Sequence, residues 1–63
     1  MTTEELELGA KIAHRNSGIF EVVDLDRHPV WWHLTIALLK RVGGDYKTIL
    51  VTDDVLVNYS PFN

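Results

Sequence analysis

Pro29-Val30-Trp31-Trp32-His33-Leu34-Thr35-Ile36-Ala37-Leu38-Leu39-Lys40-Arg41-Val42, followed by Gly43-Gly44, holds the longest apolar run of the chain, and its reading decides the fold. Pro29 suits the first position of a helix, with Asp26 or His28 before it. Lys40 and Arg41 fall where the last turn of such a helix favours positive charge, and Gly43-Gly44 is a stop. The spacing therefore predicts a helix over about 29–42. On a wheel of about 100° per residue, Val30, Trp31, Leu34, Leu38 and Val42 form one stripe and Trp32, Ile36 and Leu39 a second. A helix this apolar needs cover on two sides. One side would meet the sheet; the other would meet the first helix, a second subunit or a foreign partner. Trp32, Ile36 and Leu39 are the interface candidates, Trp32 foremost because tryptophan is enriched among contact residues whose truncation is costly.

Upstream, Ile19 to Leu25 is β-branched and aromatic, with Ile19, Val23 and Leu25 on one side and Phe20 and Val22 on the other, which predicts a strand over about 19–25. Before it, Thr2-Thr3-Glu4-Glu5 has capping-box spacing and acids suited to a helix start, while Asn16-Ser17-Gly18 suits a stop. Leu6, Gly9, Ala10 and Ala13 share a face widened by Leu8 and Ile12, opposite Glu4, Glu7, Lys11 and Arg15, so a helix over about 3–16 is expected.

Downstream, Tyr46–Thr52 and Val55–Tyr59 read as two strands joined at Asp53-Asp54, a hairpin over about 46–59 with a tail over 60–63. The predicted fold class is thus α+β, a single small domain over 1–63 in the order α-β-α-β-β, with a three-stranded sheet and two helices packed on one face.

Composition sets the limits. The chain has 63 residues, 46% hydrophobic and 24% charged, a globular rather than disordered profile. A chain this short removes only about 60% of its surface from water, so its core is marginal. Without cysteine, disulfides and most zinc sites drop out, which moves oligomerisation or partner binding up. A formal charge of −3 supplies no broad basic footprint and disfavours nucleic acid as a partner. Val30–Leu39 is too short to span a bilayer, and no secretory signal opens the sequence, so a cytoplasmic location is expected.

Chemical constellations are few. Ser17 and Ser60 sit in expected cap and tail positions with no nucleophile elbow. Asp24, Asp26 and His28, spaced two apart where a strand meets a helix, are the weak candidates for a divalent metal or an acid/base site, although strand ends also favour Asp for turns and caps. No cofactor is expected.

The functional expectation is a small non-enzymatic protein–protein interaction module, self-associating as a homodimer or docking on a larger protein, in the manner of a phage or mobile-element accessory protein that modulates a host protein. The alternatives are a small metal-dependent or acid/base enzyme using Asp24, Asp26 and His28, and, last, a DNA-binding regulator.

Overall fold

The computed structural model describes residues 1–62, and in it the decisive stretch is not a helix. Residues 28–34 form a loop, and Thr35–Arg41 is a strand, β3, at the interior of a five-stranded antiparallel sheet. An unbroken apolar segment fits a buried helix or a buried strand equally, and its neighbours decide between them. Here β2 (Gly18–Arg27) and β4 (Tyr46–Leu50) flank it and saturate its backbone on both sides. Gly43, at φ +77, takes the left-handed conformation of a hairpin turn instead of a helix cap, and the Arg41 amide donates to the Asp45 carbonyl at 2.9 Å. Ala37 and Leu39 face the core while Ile36 and Leu38 face the opposite way.

β2 contains the expected strand and extends it at both ends. Its pairing with β3 slips between Val22 and Asp24, so Val23 is an extra, bulged residue. The bulge corrects the expected division of faces. Without it, strict alternation would place Asp24 on the core side; with it, Phe20, Val22 and Leu25 share that side, and Asp24 and Asp26 stand opposite Leu38 and Ile36 on the outer one.

The helix expected over 3–16 is also corrected. Only one 3-10 turn forms, Thr3–Glu5, with the Thr2 amide donating to Glu5 Oε1 at 2.9 Å. Gly9 at φ +83 redirects the chain, and Lys11–His14 becomes β1, paired with β2 through Ile12 opposite Phe20. The capping signal was real but marks a single turn.

The hairpin over 46–59 is corrected in the same way. Thr52 caps a short helix, α1 (Asp53–Leu56), by accepting the Val55 amide at 3.3 Å, with Asp53 and Asp54 in its first turn. The chain then crosses to the far edge, where β5 (Tyr59–Pro61) pairs with β1 and not with β4. The expected tail is thereby part strand, and its last residue, Asn63, lies outside the described residues.

The strand order is β4-β3-β2-β1-β5. The core lies on one face of this sheet, where Ile12, Phe20, Val22, Ala37, Leu39, Ile49 and Tyr59 are closed over by Leu6 and Leu56. The chain is therefore a mostly-β protein and not the α+β domain its periodicity suggests. The amino terminus is fastened to this cover, its ammonium donating to the carbonyls of Leu56 at 3.1 Å and Tyr59 at 2.9 Å.

Candidate interaction surface

β2 is longer than β1. The ladder between them runs over residues 18–21 and ends with the exchange between Val22 and Gly9-Ala10, so below that point β2 and β3 continue as a ribbon. The loop 28–34 caps this ribbon, closed by the His28 amide donating to the Leu34 carbonyl at 2.9 Å.

His28 organises the loop. Its Nδ1 accepts the amides of Val30 at 3.1 Å and Trp31 at 3.0 Å, which places the ring proton on Nε2. The imidazole also stacks on the Trp31 indole with centroids 4.8 Å apart. The result is an ordered loop that presents apolar side chains: Val30 is 70% exposed, Trp31 55% and Trp32 68%. Three adjacent large apolar residues in water stand out because such exposure marks contact sites more often than scattered single residues do.

The outer face of the sheet continues from this loop. Ile36 stands opposite Leu50 on one side and Asp26 on the other; Leu38 stands opposite Thr48 and Asp24. Ile36, Leu38 and Leu50 are partly buried by their neighbours, but the core and its cover lie on the other face.

Every free edge of the sheet carries an obstacle to strand addition. Along the part of β2 that outruns β1, Asp24 Oδ1 accepts the Leu25 amide at 3.0 Å and Asp26 Oδ1 accepts the Arg27 amide at 2.7 Å. β5 is three residues long and contains Pro61. In β4, Lys47 stands opposite Leu39 on the core side, its Nζ 5.9 Å from the Phe20 ring centroid. Capped amides, a short proline-bearing strand and an inward charge are recognised ways to block edge-to-edge pairing.

The sequence-derived candidates are dispersed. Trp32 is in the exposed loop, Ile36 is on the outer face, and Leu39 is fully enclosed in the core, so the three do not form one patch. Asp24, Asp26 and His28 do not converge either: each turns to a backbone amide near its own position. Among the described residues no three His, Cys, Asp or Glu side chains gather closely enough to hold a metal ion.

Ser60 and His14 line one surface depression of ≈ 200 Å³, yet register puts Ser60 opposite Ala13 on the outer face, while His14 meets Tyr59 edge-to-face at 4.7 Å. Lys11, Glu21, Lys40 and Arg41 line a second of ≈ 250 Å³. Both are smaller than the roughly 300–1,000 Å³ of ordinary small-molecule sites. Among the described residues the one ion pair is Arg41 with Asp45, at 3.7 Å and exposed.

Trp31, Leu38 and Leu50 escaped the sequence reading as contact residues. The available signal was the Trp-Trp pair just after Pro29, which suits a loop as well as a helix start. Among the described residues no helix is long and apolar enough to cross a membrane. No known protein family matches the chain, and no curated protein or solved structure is detectably similar to it.

Proposed function

We propose that this chain is a non-enzymatic protein–protein interaction module that docks on a larger protein through the 28–34 loop. The observation that carries this reading is the exposed Val30-Trp31-Trp32 cluster, held in place by His28 rather than free to collapse. Prior ordering lowers the entropy cost of docking, and tryptophan supplies a large contact area per ordered side chain. The blocked sheet edges favour docking by side chains over assembly by strand addition.

Photocrosslinking from inside the producing cell tests it. A benzophenone side chain replaces Trp32 in one variant and Asp54, exposed on α1, in another. The expected result is a discrete adduct with one other protein from position 32 and none from position 54. Adducts with lipid alone, with a second copy alone, or equally from both positions would overturn the proposal.

A further inference from the structure

The outer face suggests what the partner brings, an inference that rests on the interaction-module reading. Ile36, Leu38 and Leu50 form an apolar strip across β3 and β4, and Asp24 and Asp26 stand directly beside it on β2. Each carboxylate accepts a backbone amide at Oδ1, and among the described residues neither has a cation within ion-pair distance. Of the basic side chains, Arg27 follows Asp26 but alternates to the opposite face, Arg41 and Lys47 are on the core side, Arg15 lies in the turn after β1, and Lys11 and Lys40 share the outer face only at its far end, on either side of Glu21. A strip of apolar side chains rimmed on one flank by two unpaired carboxylates is complementary to a segment that is apolar on one side and carries Lys or Arg along one border.

We infer that the outer face of the β2–β3–β4 ribbon binds a basic amphipathic segment of the partner protein, its apolar side chains on Ile36, Leu38 and Leu50 and its cations on Asp24 and Asp26. The tryptophan loop lies at the end of the same ribbon, so one partner surface reaches both. An anionic membrane is disfavoured as occupant, since two uncompensated carboxylates at the contact repel it.

The probe is a synthetic amphipathic helix of leucine and lysine, with a leucine–glutamate helix of the same pattern as its counterpart. Amide shifts in the intact chain are followed by NMR at low salt. The lysine peptide is expected to move the amides of residues 24–26, 36–38 and 48–50 together with the Trp indole signals; the glutamate peptide is expected to leave them in place. Asp24→Asn with Asp26→Asn, which keeps the capping oxygens, is expected to weaken the lysine peptide by about five- to tenfold. Asp53→Asn with Asp54→Asn removes the same charge from α1 and is expected to leave affinity unchanged.

Equal weakening by both double variants would mean that net charge alone attracts the peptide, and shifts centred on Lys11, Lys40 and Arg41 would mean that a different surface binds. Either outcome overturns the inference, as does tighter binding of the glutamate peptide. A failure here together with a protein adduct from position 32 would leave the loop as the docking element and remove only the basic segment; failure of both would remove the module reading as well.

Discussion

His28 holds Trp31 twice, accepting its amide at 3.0 Å and stacking on its indole with ring centroids 4.8 Å apart. One side chain thus fixes both the backbone and the ring of the residue that begins the exposed tryptophan pair. His28→Ala is expected to cost about 1 kcal/mol of stability, the net contribution of ordinary hydrogen bonds at a partly exposed site. It should also raise fast backbone motion at residues 30–32, read by 15N relaxation. His28→Asp, which restores an acceptor, should recover most of the backbone order but not the indole stacking.

Leu39 and Trp32 should behave oppositely despite both having been interface candidates. Leu39→Ala opens a cavity among Val22, Ala37 and Ile49 and is expected to cost about 3 kcal/mol, enough to unfold much of a domain this small. Trp32→Ala removes an exposed ring and should stay within about 0.5 kcal/mol of the parent. Urea unfolding followed by far-UV circular dichroism measures both; equal losses would contradict the placement of the two residues.

The edge obstacles predict which substitutions cause self-association. Asp24→Val with Asp26→Val frees two amides on β2 and adds apolar area to the outer face, and Lys47→Val removes the inward charge of β4. Each should shift light-scattering mass upward with concentration, while Asp24→Asn with Asp26→Asn, which keeps oxygen acceptors there, should not. A mass unchanged in both valine variants would show that something else keeps the edges apart.

Glu5 gives a pH dependence of known sign. The Thr2 amide at 2.9 Å and the Thr2 hydroxyl at 3.2 Å both donate to its carboxylate and hold its pKa below the ordinary value of 4.5. A group with a lowered folded-state pKa stabilises the fold fully above its unfolded value and loses that contribution as pH falls through the folded one. Glu5→Gln should therefore flatten stability below about pH 4.5 and change its slope little near neutrality. Acid unfolding of the two proteins in parallel checks this.

How much of this was legible in the sequence follows from which signals were local. The capping carboxylate of Glu5, the break in the chain at Gly43-Gly44 and the strand character of residues 19–25 and 46–50 are properties of a few neighbouring residues, and each sits where its local chemistry puts it, although the break ends a strand and not the expected helix. The fold class depended on non-local pairing. Residues 29–42 carry apolar side chains on consecutive positions, so their periodicity fits either secondary structure, and only the ladders to β2 and β4 choose the strand. Residues 3–16 matched a helical wheel because their small and apolar side chains fall at helical spacing, yet Gly9 needed a positive φ that a helix forbids. Trp32 was picked out for being apolar in excess of one core face; the structure exposes it, but in a loop, and separates it from Leu39.

The extra residue in β2 also governs how this chain tolerates changes of length. Val23 is partly exposed, so polar replacements there should be mild. Its deletion would join Val22 to Asp24 in plain alternation and leave Asp24 and Asp26 outward and Leu25 inward, whereas one more residue beside it would carry Asp24 and Asp26 inward against Ala37 and turn Leu25 out to water. Among descendants of this sequence, insertions should therefore collect in the turns at 15–17 and 42–45, while the segment from Val22 to Leu25 can lose its extra residue but gain none.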